Sequence, residues 1–137
     1  MTQSETTHLL DTNICSYLMR KHPVGVVARL QALGPERVAI SVITAIELRQ
    51  GADASREPTR YHLRIDDFLS EMRVFQLDAA AARTVGRVRS LLRRSGKPIG
   101  DLDSLIAGHA LSLGLVLVTH NTREFVRVTG LSVEDWV

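Results

Sequence analysis

Leu115-Val116-Leu117-Val118-Thr119-His120-Asn121 decides how the rest of the chain is read. Four consecutive apolar residues end abruptly in polar ones. A strand with one wet face alternates apolar and polar side chains, whereas an unbroken apolar run suits a strand covered by helices on both faces. Gly114 just before the run predicts the end of a helix, and Asp101 or Asp103 its beginning. The same rhythm extends toward the amino terminus. His8 to Leu10 is a short apolar run closed by Asp11, with a helical stretch from Ile14 to Met19 after it. Pro23 suits the first turn of a helix through about Leu33, Gly34-Pro35 ends it, and Val38-Ala39-Ile40 reads as a strand. Ser41 or Thr44 can cap a helix to Gln50, with Gly51 as its stop. A helix from Pro58 to about Met72 and a strand from Val74 to Leu77 come next, and Asp78 then caps a long helix to Ser95, ended by Gly96. Residues after Gly130 add a last edge strand. Strands and helices alternate with short connections, so the expected fold is α/β, a doubly wound, mostly parallel central sheet of four to five strands with helices on both faces. Sites in such sheets form beyond the carboxyl ends of strands, where Asp11 and Thr119-His120-Asn121 fall.

The 137 residues fit one hydrophobic core, and no repeat, low-complexity tract or linker divides them, so a single domain over 1–137 is expected. Apolar residues make up 45% and charged ones 23% of the chain, the balance of a soluble globular protein. The stretch from Met1 to His8 is polar, and no run approaches the roughly 20 apolar residues that cross a bilayer, which points to the cytoplasm and away from membranes. Cys15 is the only cysteine, so an intramolecular disulfide or a cysteine-based zinc cage is excluded, and a metal would rely on oxygen ligands. The net charge of +2 and pI near 9.1 say little by themselves. Arginine greatly outnumbers lysine, and a guanidinium binds phosphate through paired hydrogen bonds as well as charge.

Hydrolysis of a phosphodiester needs an activated water and compensation of charge on the phosphate and leaving oxygen, which carboxylate-bound magnesium supplies. Asp11 after the first strand, Glu47 on the third helix and Asp103 at a later helix start are distant in sequence but could converge across the switch point of the sheet. Singly, each has another reading: Asp11 as a helix cap, Glu47 as a solvated side chain, Asp103 as favourable charge at a helix amino end.

Four segments bear a resemblance that bears on this choice. Leu9 to Asn13 (LLDTN), Ser41 to Ala52 (SVITAIELRQGA), Ile99 to Ala110 (IGDLDSLIAGHA) and Leu117 to Phe125 (LVTHNTREF) closely resemble PIN-domain toxins of the VapC type, in the family's order and across nearly the whole chain. The resemblance implies a PIN-like doubly wound sandwich and a Mg2+-dependent endoribonuclease, with Mn2+ as a plausible substitute. It also implies a homodimer inhibited by a VapB-type antitoxin, which alone links it to DNA. Carried over by position, Asp11 and Asp103 are metal ligands and Glu47 completes the catalytic acids. Thr12, Asn13 and Thr119 match polar neighbours that orient carboxylates or phosphate. Asn121 stands where many PIN nucleases carry a fourth acid, leaving a neutral amide there. Asp101 stands where close relatives often have proline, and is either a supporting acid or a cap. The catalytic role goes to Asp103, because the family's aspartate precedes Ile-Ala by two residues. The toxins most resembled cut transfer RNA in the anticodon loop, whose unpaired phosphodiester can enter a crevice closed to a duplex.

Other residues carry less. Arg83, Arg87 and Arg94 fall within about 40° of one another at 100° per residue, and read first as a solvated helix face and second as a track for RNA phosphates. His109, inside a helix beside small residues, reads as packing; His120, nearer the expected site, is a candidate RNA contact. Trp136 reads as an edge-packing residue, with a partner contact as the alternative. Two rival magnesium-using classes do not fit. Haloacid-dehalogenase-type phosphatases usually carry a second aspartate two residues after the first, where Asn13 stands, and a receiver domain needs an acidic pair ahead of its phosphorylated strand. An inactive PIN-like RNA-binding module is the remaining alternative, opposed by retention of Asp11, Glu47 and Asp103.

Overall fold

In a computed structural model of the chain, which describes residues 5–137, five strands lie side by side: β1 (His8–Leu10), β2 (Val38–Ser41), β3 (Arg73–Phe75), β4 (Val116–Val118) and β5 (Val133–Glu134). Their order is β3-β2-β1-β4-β5, and every pairing is parallel. The chain moves outward from β1 through β2 to β3, then returns to the other side of β1 and continues outward to β5. The seam between β1 and β4 is therefore the switch point of a doubly wound sheet. Its helices are α1 (Thr12–Arg20), α2 (Val24–Leu33), α3 (Val42–Asp53), α4 (Pro58–Ser70), α5 (Ala79–Arg94), α6 (Asp101–Leu113) and α7 (Thr122–Phe125).

Alternation along the strands sorts the core into two layers. Leu10, Val38, Ile40 and Val118 face one side and pack with Ile14, Leu18 and Val26; Leu9, Ala39 and Leu117 face the other and pack with Val88, Leu92 and Ile106. Both layers are built from buried apolar side chains, which is why Leu9–Leu10, Val38–Ile40 and Val116–Val118 are apolar without a break. Among the described residues no helix is long and apolar enough to cross a membrane. The polarity of Met1–Ser4, used above, lies outside the described residues.

Several boundaries differ from expectation. The helix that Gly51 was to stop runs on to Asp53, because Ala52 is buried at 3% exposure in the first core layer and its packing offsets the roughly 1 kcal/mol helix penalty of glycine. The third strand is Arg73–Phe75 rather than Val74–Leu77, since its partner β2 ends at Ser41, opposite Phe75, and turns into α3. Pro23 is the residue before α2 and not part of it, and α4 ends at Ser70, two residues short of Met72. The expected last strand after Gly130 is present as β5, and α7, which follows β4, has no counterpart in the sequence analysis.

Candidate active site

Register at the switch point places the first two site residues. Leu10 is paired with Val118, so Asp11 and Thr119 leave the sheet side by side. Asp11 is 5% exposed and caps α1: its Oδ1 accepts from the Thr12 N–H at 2.7 Å, and its Oδ2 accepts from the Thr119 hydroxyl at 2.8 Å. Thr119 Oγ1 in turn accepts from the Asn121 N–H at 3.0 Å. Thr12 donates its hydroxyl to Glu47 Oε1, tying α1 to α3. The start of α3 is held by Ser41, whose hydroxyl accepts from the Ile43 N–H and lies 2.7 Å from His109 Nδ1 on α6. The helices that carry Glu47 and Asp103 are thus joined by one buried hydrogen bond.

Asp11, Glu47 and Asp103 line a common open crevice of about 330 Å³ together with Thr12, Asn13 and Asn121. Burial raises the Asp11 carboxyl above its ordinary range, partly offset by the Thr119 and Thr12 hydrogen bonds and reinforced by Glu47 and Glu124. Burial also pushes Asp103 up to about 7, helped by a hydrogen bond to Glu124 and by the negative charges of Asp11, Glu124 and Glu47. Glu124 moves the opposite way: the hydrogen bond from Asp103 holds it low, aided by Asn121, the Gly100 N–H and nearby Arg127. The hydrogen bond between them thus favours a proton on Asp103 and the charge on Glu124.

Glu124 is the site residue the sequence analysis missed. It places a fourth acid where a neutral amide was expected, because Asn121 Nδ2 donates to Glu124 Oε2 at 2.7 Å and holds that carboxylate toward Asp103. The signal available was a glutamate three residues after Asn121, one helical turn on; the short helix α7 that makes this spacing meaningful had not been foreseen.

Oxygen donors dominate the crevice. The buried Oδ1 of Asn13 has no hydrogen-bond partner, three carboxylates line the crevice with Glu124 hydrogen-bonded to one of them, Asp103, and neither a thiol nor an imidazole lines it. That donor set fits a hard divalent cation. Among the described residues no three acidic, histidine or cysteine side chains stand close enough together to hold a metal ion as they are; the candidate ligands are the carboxylates that line the crevice, Asp11, Glu47 and Asp103.

Other expected residues lie elsewhere. Asp101 does not support the crevice: two residues from Asp103, it projects about 200° around α6, where it is exposed and pairs with Arg89 at 3.1 Å. Nor is it the cap, its other expected role: it is the first residue of the helix, as Asp101 or Asp103 was expected to be, and Gly100 is the cap. Arg83, Arg87 and Arg94 are exposed on α5, and none lines the crevice. His120 is exposed and turned to Asp135, 3.2 Å away. His109 is buried at 1% exposure, with its pKa lowered by burial, as a packing residue requires. Trp136 is buried at the sheet edge, with its Nε1 donating to Glu134 Oε1 at 3.1 Å. Cys15 is fully buried and its thiol is pushed up by burial.

Residues 8–131 match the family described as PIN domain. The chain is 46% identical over 128 residues to the tRNA(fMet)-specific endonuclease VapC of Shigella flexneri, covering 93% of this chain and 96% of that one. It is 38% identical over 130 residues to ribonuclease VapC2 of Haemophilus influenzae, covering 95% and 98% respectively. Among solved structures, DNA-bound VapBC from Salmonella typhimurium superposes with a TM-score of 0.91 at 41% identity, over 96% of this chain and 99% of that one.

Proposed function

The chain belongs to the PIN domain family, in its VapC-type ribonuclease toxin branch, and from that premise we propose that it is one PIN domain over 1–137 that cuts RNA with magnesium. It is a divalent-metal-dependent endoribonuclease and the toxin of a type II toxin-antitoxin pair. The observation that carries the finer reading is the concentration of acid at the switch point, where Asp11, Glu47 and Asp103 line one crevice and burial, with the neighbouring acids, pushes the Asp103 carboxyl up to about 7. Asp11 and Asp103 would hold Mg2+, or Mn2+ in its place, with Glu47 and Glu124 completing the charge directly or through water. Bound magnesium supplies an acidified water and compensates charge on the phosphate.

The chain's own residues do the positioning. Thr119 and the Thr12 N–H fix the two Asp11 oxygens, so the carboxylate does not rotate away from the crevice. Thr12 fixes Glu47, and Asn121 fixes Glu124. Such supporting hydrogen bonds orient metal-binding carboxylates. Water attack leaves a 3′-hydroxyl and a 5′-phosphate. The target we assign is transfer RNA, in keeping with the name of the Shigella relative, and the cut we assign is in its anticodon loop. The partner is a VapB-type antitoxin whose tail brings a positive charge over the carboxylates, and DNA is reached only through that partner; the similar VapBC complex is DNA-bound. The working form is a cytoplasmic homodimer.

The test is incubation of antitoxin-free protein with total bacterial RNA, with magnesium or with EDTA, beside Asp11→Ala, mapping new 5′ ends by sequencing. Discrete cuts that need both magnesium and Asp11 are expected. A folded, metal-binding protein that leaves all RNA intact would overturn the proposal in favour of an inactive binding module.

A further inference from the structure

Beside the acidic crevice runs a second depression of about 410 Å³ between α1, α3 and α4, and the two share Thr12, Ser16 and Glu47 as a common wall. Its floor is apolar, formed by Met19, Leu48, Ala52 and Ile65, and its rim carries Tyr61, Arg20 and Arg64. Tyr61 is 42% exposed. Neither Arg20 nor Arg64 has a carboxylate partner among the described residues; each guanidinium lies over an aromatic ring instead, Arg20 5.3 Å from the centre of Tyr17 and Arg64 5.8 Å from that of Tyr61. The contrast is with neighbouring Arg49, which is occupied by Asp66 at 2.6 Å and by His62.

From this juxtaposition we infer that the groove binds the RNA nucleotide adjoining the scissile phosphodiester, its base against Tyr61 and the apolar floor and its flanking phosphates on Arg20 and Arg64. The inference rests on the nuclease reading of the crevice. A phosphodiester placed there puts its neighbouring nucleotide across the shared wall, into the only part of that boundary with unpaired cations among the described groove residues. Stacking on an aromatic ring accepts any base, and arginine adds charge and a flat surface. The arginines that hold RNA are then these two, and not Arg83, Arg87 and Arg94 on α5.

The experiment measures binding of a fluorescein-labelled, single-stranded RNA of about ten nucleotides to the full, antitoxin-free chain carrying Asp103→Asn to silence cleavage. Arg20→Ala and Arg64→Ala are each expected to weaken binding several-fold and to flatten the dependence of log Kd on log salt by about 0.7. Tyr61→Leu should weaken binding about fivefold or more with the salt slope unchanged, and Tyr61→Phe should keep it. All four positions changed are solvent-facing or conservative, and thermal melting verifies folding. RNA affinity unmoved in the arginine and leucine variants overturns the inference. If those variants instead lose only antitoxin binding, the groove belongs to the antitoxin and the inference is equally overturned. Wild-type cleavage is scored in parallel: Asp11-dependent cuts with indifferent groove variants sink this inference alone, and absence of cuts sinks the nuclease reading.

Discussion

Glu124 follows Asn121 by one helical turn, and the Asn121 amide turns its carboxylate toward Asp103. A neutral residue at 121 therefore imports an acid instead of lacking one. Glu124→Gln keeps the shape and removes the charge, so Mn2+ affinity measured by calorimetry should fall about tenfold or more, within the range for groups that support a metal site. Unchanged affinity would show that Glu124 is a bystander. Thr119 is fully buried and serves Asp11 Oδ2 and the Asn121 N–H at once. Thr119→Val leaves a buried carboxylate oxygen short of a donor, and chemical denaturation should register a loss of about 1–3 kcal/mol; Thr119→Ser, which restores the hydroxyl, should recover most of it.

Helices α5 and α6 approach each other closely at Gly108 and Val85. A Cβ on Gly108 would come 2.7 Å from the Val85 Cα and 2.6 Å from its Cγ2. Since backbone cannot step aside as a side-chain tip can, Gly108→Ala should cost about 1–3 kcal/mol as overpacking and shift α6, with Asp103 on it. Gly86, also on α5, has nothing within 4 Å of its would-be Cβ, so Gly86→Ala should stabilise by up to about 1 kcal/mol through helix propensity. Thermal unfolding of the pair decides the matter: similar melting shifts of one sign would mean the α5–α6 contact is looser than described. Helix geometry also explains Asp101. Two residues along a helix is more than half a turn, which sends Asp101 to Arg89 and Asp103 to the crevice.

Across the whole molecule the acidic site links stability to pH and metal. The folded Asp103 carboxyl ionises near 7, above its ordinary 3.8, so between these values the folded chain holds a proton that the unfolded chain has released. The stabilisation from this group is complete below the lower value and is lost as pH rises through the upper one. Asp11 is shifted in the same direction and Glu124 in the other; the large Asp103 shift sets the sign in this window. In EDTA, melting should be lower at about pH 8 than at about pH 5, Asp103→Asn should flatten the difference, and magnesium should raise melting most at the higher pH. An EDTA profile identical in wild type and Asp103→Asn would refute the link.

The chain's linear pattern was enough for the parallel sheet and the burial of both its faces, because unbroken apolar runs, caps and residue order are local properties; Asp11, Glu47 and Asp103 were singled out by resemblance, and the fold brings them to one crevice. The LLDTN and IGDLDSLIAGHA segments were legible for the same reason: motif spacing survives without coordinates. Tertiary structure decided what depends on who stands opposite whom. Gly51 lies within a helix because Ala52 has a core to enter, β3 stops where β2 turns away, and Glu124 joins the site because Asn121 holds it against a helix distant in sequence. The arginines beside the crevice, Arg20 and Arg64, were likewise hidden, since their lack of acidic partners among the described residues is a property of the folded surface and leaves no mark on the sequence.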